Sequence, residues 1–167
     1  MTTYEKACEL VEQLIAKEYH ISFAESCTGG KVAAAIVDVP NASMVLDASV
    51  VTYSNEAKQK FADVKAETLE RYGAVSEQVA GEMAAGIAKN NQAQVGAGIS
   101  GIAGPGGGSM EKPVGMVCFG FCINGQVQTC TKYFGDIGRN QVRDSSVDFV
   151  LDTLLTLLCK HANQKNK

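Results

Sequence analysis

The spacing of hydrophobic residues along the chain alternates between the period of a helix and that of a strand. A stripe at i, i+3, i+4, i+7 and i+8 predicts a first helix through Ala7, Leu10, Val11, Leu14 and Ile15. Further helices are predicted over residues 33–37, 54–61 and 67–72, from residue 76 onwards, and over residues 139–160. Strands are predicted over residues 21–24, 45–53, 93–99, 114–123 and 126–134.

The last two predicted strands are separated by Asn124 and Gly125, a pair typical of a tight hairpin. Residues 117–123 are apolar throughout and are expected inside the sheet, whereas the second arm alternates and is expected further out. Helices between strands plus one hairpin predict an α/β fold, a three-layer α/β/α sandwich with a mixed β-sheet. No repeat or linker divides the chain, so we expect a single domain over residues 1–162 and a polar tail over residues 163–167.

Composition and charge narrow the class of protein. The chain has 167 residues, 46% of them hydrophobic, and a net charge of −3, which argues against a general nucleic-acid binder. A small anionic substrate remains compatible, because a few local cations can hold it. The first residues lack the pattern of a signal peptide and no apolar run approaches ~18 residues, so we expect a cytoplasmic protein.

The six cysteines do not form a metal site by their spacing, since none makes a Cys-x-x-Cys pair or lies near a histidine at ligand spacing. We expect most of them to be small core residues in a reducing compartment. Cys118 and Cys122 are expected on the same side of one strand, ~13 Å apart, which is too far to share a zinc ion.

Three loops rich in small polar residues follow predicted strands, over residues 25–30, 53–58 and 100–109. Sites in α/β folds form beyond the carboxyl ends of strands, so these loops are the candidates. Ser26 lies at a strand-to-helix turn beside Gly29 and Gly30, where a hydroxyl and free backbone amides suit a nucleophile with an oxyanion hole. The alternative is that Ser26 or Thr28 only caps the following helix.

A serine nucleophile needs a base, and neither histidine is well placed. His20 is at the opposite end of the first strand, ~20 Å from Ser26, and His161 is near the polar end of the chain. Lys58 is the best candidate base, since it lies in the first turn of its helix, although a solvated surface lysine is the alternative. Tyr53 is a further candidate, as proton relay or oxyanion donor, and Cys27 is a rival nucleophile.

A glycine-rich segment imitates a dinucleotide-binding motif. Gly96, Gly98 and Gly101 have the spacing G-x-G-x-x-G, but the first two fall inside a predicted strand and no helix follows the third. We therefore reject a Rossmann interpretation. The run from Gly104 to Ser109, with Lys112 nearby, can wrap a phosphate or ribose with bare amides, or can be a wide turn.

Two arginines, Arg139 and Arg143, lie one helical turn apart at the start of the last helix. Two guanidinium forks on one face suit a phosphate or carboxylate, although surface ion pairs would explain them equally well.

Four motifs in this order resemble the CinA C-terminal domain family, and together they cover nearly the whole chain. They are Ala24-Glu25-Ser26-Cys27-Thr28-Gly29-Gly30, Thr52-Tyr53-Ser54-Asn55-Glu56-Ala57-Lys58, Gly73-Ala74-Val75-Ser76, and Ser100-Gly101-Ile102-Ala103-Gly104-Pro105-Gly106-Gly107-Gly108 followed by Lys112-Pro113-Val114-Gly115. The resemblance implies an α/β/α homodimer that hydrolyses the amide of nicotinamide mononucleotide to nicotinate mononucleotide and ammonia, within pyridine nucleotide recycling. It implies no metal and no cofactor.

The resemblance also implies roles for particular residues. The proposed Ser/Lys dyad of the family corresponds to Ser26 and Lys58, and its tyrosine to Tyr53. Its late arginine corresponds to Arg139 or Arg143, because Ile137 and Gly138 look like an insertion. Met110 and Met116 depart from the family pattern at peripheral positions. The expected substrate-binding residues are Glu25, Cys27, Thr28, Gly29, Gly30, Ser100, Gly101, Gly104, Gly106, Gly107, Arg139 and Arg143.

Two rival functions remain. The chain can be a non-catalytic nucleotide-binding or regulatory module linked to competence or DNA damage, which predicts binding without turnover. It can also be an amidase acting on another pyridine nucleotide or on free nicotinamide. The glycine-rich loop and the arginines favour a phosphorylated substrate.

Overall fold

The computed structural model of the protein describes residues 1–164, with side chains through residue 160. Its elements in chain order are α1 (Thr3–Ala16), β1 (Ile21–Glu25), α2 (Lys31–Val37), a short 3₁₀ turn (Ala42–Met44), β2 (Leu46–Val51), α3 (Asn55–Ala62), α4 (Ala66–Tyr72), α5 (Glu77–Asn90), β3 (Val95–Gly101), β4 (Met116–Ile123), β5 (Gln126–Tyr133) and α6 (Arg139–Gln164). The side chain of His161, considered above as a base, lies outside the described residues, and so do residues 165–167 of the predicted tail.

The five strands form one mixed sheet in the order β2-β1-β3-β4-β5. β1 is parallel to both β2 and β3, while β4 is antiparallel to β3 and β5 to β4. Helices cover both faces, because α1, α2 and α6 pack in one hydrophobic core while α3, α4 and α5 pack in clusters on the other face. The predicted three-layer α/β/α sandwich is confirmed.

Several predicted boundaries are corrected. β2 ends at Val51, so Tyr53 lies beyond the sheet, whereas β3 continues to Gly101 because its last residues pair with β4. β4 begins at Met116, since Gly115 turns with φ +88° against the backbone of Gly135. The last helix continues past Lys160 to Gln164, so part of the segment expected as a tail is helical.

The dinucleotide-like glycines serve helix packing. A Cβ at Gly96 would lie 2.2 Å from the carbonyl oxygen of Ala84, and one at Gly98 would lie 2.4 Å from that of Ala80. Gly120 on the neighbouring β4 has the same relation to Ala80, at 2.1 Å. The backbone of α5 therefore rests directly on the sheet, which only glycine permits. The rejection of a Rossmann motif is consistent with this packing.

The hairpin arms differ as expected. Every residue of β4 is buried, whereas β5 is an edge strand with most of its residues exposed. Cys118 and Cys122 both face α5 from β4, and Cys27 is also buried, while Cys8 and Cys130 are half-buried. Cys159 is exposed, so three of the six cysteines are fully buried and the expectation of mostly core cysteines is met only in part. In residues 1–164, no helix is long and apolar enough to cross a membrane.

Candidate active site

Three chain segments meet at one edge of the sheet because β1, β2 and β3 run parallel and end there. Ser26 follows β1, Thr52 and Tyr53 follow β2, and Ser100 and Gly101 end β3. They surround a cavity of about 220 Å³. The cavity is lined by Ser26, Cys27, Tyr53, Lys58, Ala74, Val75, Ser100, Gly101, Ala103 and Arg139.

Ser26 and Lys58 are in direct contact in this cavity. Lys58 Nζ lies 3.1 Å from Ser26 Oγ, 2.8 Å from the carbonyl oxygen of Thr52 and 3.3 Å from that of Tyr53. An ammonium can donate to all three oxygens; in the neutral amine, two N–H groups donate to the carbonyls and the lone pair is left to accept the serine O–H. The contact therefore has the geometry of a nucleophile and its general base.

The surroundings of Lys58 favour the neutral amine. The side chain is only 1% exposed, and no carboxylate in residues 1–160 forms an ion pair with it. Burial lowers the pKa of Lys58 from its ordinary value of 10.5, because the charged form loses its hydration. A lowered pKa makes Lys58 a proton acceptor over a wider pH range than an exposed lysine.

Helix α3 places this lysine. Ser54 caps the helix, accepting the Ala57 amide at 3.0 Å, so Lys58 lies in the first turn. Long helical side chains point towards the N-terminus, which directs Lys58 back to the ends of β1 and β2. Lys60, two residues on, is exposed beside the ring of Phe61. The alternative of a solvated surface lysine therefore does not hold for Lys58 but describes Lys60.

The turn that carries Ser26 is held by Glu25. Its carboxylate, 1% exposed, accepts the amides of Gly30, Val32 and Ala33 at 3.0, 3.1 and 2.9 Å. Helix α2 begins after Gly30, which has φ +92° and provides no side-chain cap. The alternative that Ser26 or Thr28 caps the helix is wrong: Glu25 satisfies the first amides of α2, and the Ser26 hydroxyl is available for chemistry.

This arrangement changes the expected oxyanion hole. The Gly29 amide donates to the Ser26 carbonyl at 3.1 Å and the Gly30 amide to Glu25, so neither is available. The amides of Cys27 and Thr28 have no acceptor on any other described residue, and of these two residues only Cys27, which directly follows Ser26, lines the cavity. An amide directly after the nucleophile is a recurrent oxyanion donor in hydrolases.

Cys27 is poorly suited to be the nucleophile. Its side chain is 5% exposed and packs in the core under the sheet edge. Burial raises the pKa of the Cys27 thiol to about 12, because the thiolate would lose its hydration. The reactive thiolate is therefore scarce at neutral pH, which favours Ser26 of the two neighbours.

The two arginines occupy different positions. Arg139 lines the cavity, donating to the carbonyl of Gly104 at 2.7 Å and to the Tyr53 hydroxyl at 3.1 Å. Arg143 lies outside the lining and donates to the carbonyls of Cys27 and Thr28 at 3.0 and 3.1 Å. The structure thus brings Arg139 to the cavity, while Arg143 holds the turn that carries Ser26.

The other predicted site residues fall into groups. Those in the lining are Ser26, Cys27, Tyr53, Lys58, Ser100, Gly101 and Arg139. Those behind it, in or against the serine turn, are Glu25, Thr28, Gly29, Gly30 and Arg143. Gly104 meets Arg139, whereas Gly106 and Gly107 lie on an exposed loop outside the lining. Lys112, considered for phosphate, donates instead to the carbonyl of Tyr72.

The lining also contains three residues that sequence reasoning gave no role. Ala74 and Val75 belong to the segment before α5, and Ala103 to the glycine-rich loop. Small apolar residues carry no chemical signal, and only their place in the family-like motifs could have pointed to them. Residues 1–160 contain no group of three or more His, Cys, Asp or Glu side chains that could hold a metal ion.

Comparisons with known proteins agree with this fold. The model of the CinA C-terminal domain family matches residues 3–158, and the chain belongs to this family. A competence-damage inducible protein of Clostridium perfringens is 51% identical over 141 residues, covering 84% of this chain and 34% of that protein. The chain therefore spans about a third of the length of this curated relative.

Two solved structures have the same fold over nearly their whole length. The competence/damage inducible protein of Agrobacterium tumefaciens superposes with a TM-score of 0.90 at 40% identity, covering 93% of this chain and 94% of that one. A CinA superfamily protein of Klebsiella pneumoniae superposes with a TM-score of 0.91 at 36% identity, covering 96% and 99%. The matched region fills nearly all of each solved chain but only about a third of the curated relative.

Proposed function

We propose that this protein hydrolyses the carboxamide of nicotinamide mononucleotide, giving nicotinate mononucleotide and ammonia, with Ser26 as nucleophile and Lys58 as base. The observation that carries the proposal is the 3.1 Å contact between Lys58 Nζ and Ser26 Oγ inside a cavity, with carbonyls as the other partners of the lysine. A structural lysine would be expected to pair with a carboxylate or solvent.

In the first half of the reaction, Lys58 Nζ takes the hydroxyl proton of Ser26 as Oγ bonds to the carboxamide carbon. The developing oxyanion accepts a hydrogen bond from the Cys27 amide, and the Tyr53 hydroxyl is the second donor. The C–N bond then breaks, its electron pair remains on nitrogen, and the Lys58 ammonium supplies the proton that completes ammonia.

In the second half, water attacks the ester carbon of the acyl-enzyme while Lys58 accepts a proton from the water. The bond to Ser26 Oγ breaks and the serine recovers its proton from Lys58, which restores the neutral amine. No step requires a metal or cofactor. Arg139 is the cation in the cavity wall and is proposed to hold the phosphate, by exchanging its present partners for phosphate oxygens.

The test is ammonia release from nicotinamide mononucleotide by wild type, Ser26→Ala and Lys58→Ala, with free nicotinamide as a second substrate. We expect turnover of the nucleotide by wild type only, and none of the free base. Substantial turnover by Ser26→Ala would contradict the assignment of the nucleophile. Binding of the nucleotide without turnover by folded wild type, from neutral to alkaline pH, would instead support a binding or regulatory module.

A homodimer, a cytoplasmic location and a part in pyridine nucleotide recycling stay predictions. Size-exclusion chromatography with light scattering tests the first of them.

A further inference from the structure

Beyond the Ser26–Lys58 pair, the cavity wall contains a serine hydroxyl that can only accept a hydrogen bond from a ligand, because its own hydrogen is already used. Ser100 lines the cavity, is 1% exposed, and its Oγ lies 2.6 Å from the carbonyl oxygen of Ala74. A carbonyl cannot donate, so the single hydrogen of Ser100 is committed to Ala74. The oxygen of Ser100 is left with lone pairs, which become better acceptors because its O–H is already donating.

The other polar groups that contact the cavity have different capacities. Arg139 offers donors only, and the Cys27 amide is a donor. The carbonyls of Thr52 and Tyr53 already accept from Lys58, and that of Gly104 accepts from Arg139. Ser26 is the nucleophile, whose proton goes to Lys58. The lining has three side-chain oxygens, those of Ser26, Tyr53 and Ser100. The Tyr53 oxygen already accepts from Arg139, so the Ser100 oxygen is the side-chain acceptor of the lining, apart from the nucleophile, that has no described donor.

We infer that Ser100 is a specificity-determining residue that accepts an N–H of the substrate carboxamide and so selects an amide over an acid or an ester. This inference rests on the proposed function. A carboxamide presents two N–H donors, whereas an ester has none and a carboxylate has only acceptors. Ser100 holds the nitrogen that will leave as ammonia, and its lone pairs oppose the carboxylate of the product.

The experiment compares the mononucleotide carboxamide with the methyl ester of nicotinate mononucleotide, in wild type and Ser100→Ala. Both substrates form the same acyl-enzyme, but only the amide has an N–H for Ser100. We expect kcat/KM to fall about 10- to 100-fold for the amide and less than about threefold for the ester. Ser100→Thr keeps a hydroxyl and should restore most of the amide activity.

The control is Ser22→Ala, which removes a buried serine hydroxyl from the middle of β1, away from the cavity. It should leave the ratio of amide to ester activity unchanged. An equal loss on both substrates in Ser100→Ala would overturn the inference, because it would mean that losing the Ala74 contact merely loosens the wall. Inhibition by the acid product further separates a specificity role of Ser100 from a general loosening of the wall. The specificity role predicts equal or tighter inhibition of Ser100→Ala, whereas a loosened wall predicts weaker inhibition.

Failure of the inference and failure of the proposed function are distinguishable. If wild type hydrolyses neither substrate, the proposed function fails. If wild type hydrolyses both and Ser100→Ala slows both equally, only the role of Ser100 fails.

Discussion

Two loops on either side of the cavity are built in opposite ways. The nucleophile turn, residues 25–30, is mostly buried and is fixed at two places. Glu25 at its start accepts three amides from the residues at and after its end, and Arg143 donates to two carbonyls in its middle. The glycine-rich loop, residues 102–115, is exposed from residue 105 to residue 111, with Met110 fully solvated. A Cβ added at Gly106 would have no atom within 4 Å.

This difference separates two tasks of one site. A nucleophile and its oxyanion donor must be held in place before the substrate arrives, because reorganisation during the reaction would raise the barrier. A loop that binds the rest of a nucleotide can order itself on binding instead. Substitutions in the nucleophile turn should therefore lower kcat, and those on the side of the glycine-rich loop should mainly raise KM.

The largest effect is expected at the base. Lys58→Arg keeps a long donor but cannot release its proton at any ordinary pH, so we expect kcat to fall by about 10³-fold or more. Circular dichroism and thermal unfolding should verify that the variant is folded. Retention of more than a tenth of wild-type activity would rule out Lys58 as the base.

The pH dependence of wild type should follow the same lysine. Its pKa is lowered from 10.5, so activity should fall about tenfold per pH unit below the lowered pKa and form a plateau above it.

The stability of the protein should depend on pH through the same group. The unfolded chain binds the proton of Lys58 more tightly than the folded protein does, so the unfolding free energy should rise with pH between the lowered pKa and 10.5, and then level off. The measurements are kcat/KM and chemical denaturation from pH 5 to 10, each beside Lys58→Met. A rate that is flat down to pH 5 would contradict a neutral lysine.

The second effect tests the rigidity of the nucleophile turn. Arg143→Ala frees the carbonyls of Cys27 and Thr28 while leaving the cavity lining intact, so we expect kcat to fall about 10- to 100-fold with KM within about twofold. Added guanidinium ion should restore part of the loss, because it can reoccupy the space between the carbonyls. A raised KM with unchanged kcat would mean that Arg143 binds substrate after all.

Asp144→Ala is the matched control for this variant. Asp144 is the next residue of α6 and pairs with Lys31 at the start of α2, so it ties α6 to the neighbouring helix without touching the nucleophile turn. We expect wild-type kcat and KM. A loss equal to that of Arg143→Ala would attribute the effect to general packing of α6.

The sequence predicts the elements of this fold well because hydrophobic spacing and turn residues act locally. The hairpin at Asn124 and Gly125 and the buried arm before it are confirmed. The cap of α2 could not be predicted in the same way. Glu25 reaches amides five to eight residues ahead, and that geometry depends on how β1 enters the turn. Strand ends depend likewise on pairing: β3 continues to Gly101 only because β4 lies beside it.

The candidate site also contains some features that local sequence predicts and others that depend on the tertiary structure. Ser26 at its turn and Lys58 in its first helical turn were found from local pattern, but their contact across 32 positions of sequence needed the fold or the family resemblance. Arg139 and Arg143 have equivalent local signals, and only the tertiary structure brings one to the cavity and the other to the nucleophile turn. The committed hydrogen of Ser100 depends on Ala74, 26 residues earlier, and is invisible to any local pattern.

A smaller effect, on KM instead of kcat, is expected at Arg139. Arg139→Ala removes the cation from the lining, and we expect KM for the mononucleotide to rise about tenfold with little change in kcat. Arg139→Lys keeps a positive charge but loses the bidentate guanidinium group, so its KM should lie between those of wild type and Arg139→Ala. Steady-state kinetics with the nucleotide and the dephosphorylated nucleoside check this, since Arg139→Ala should not affect the nucleoside. An equal loss on the nucleoside would show that Arg139 does not act through phosphate.

The smallest effect distinguishes two adjacent residues of the glycine-rich loop. Gly106 has open space around it and no positive φ, so Gly106→Ala should raise the unfolding free energy by about 0.4–1 kcal/mol by restricting the unfolded chain. Gly107 has φ +86°, so Gly107→Ala should lower it by about 1–2 kcal/mol through strain in the left-handed region. Urea denaturation measures both. If the two variants instead lose stability equally, the loop is more tightly held than its exposure indicates, and the contrast with the nucleophile turn weakens. If Gly106→Ala also leaves kcat unchanged, the loop tolerates restriction without cost to the chemistry, as expected when the rigid part of the site lies on the opposite wall.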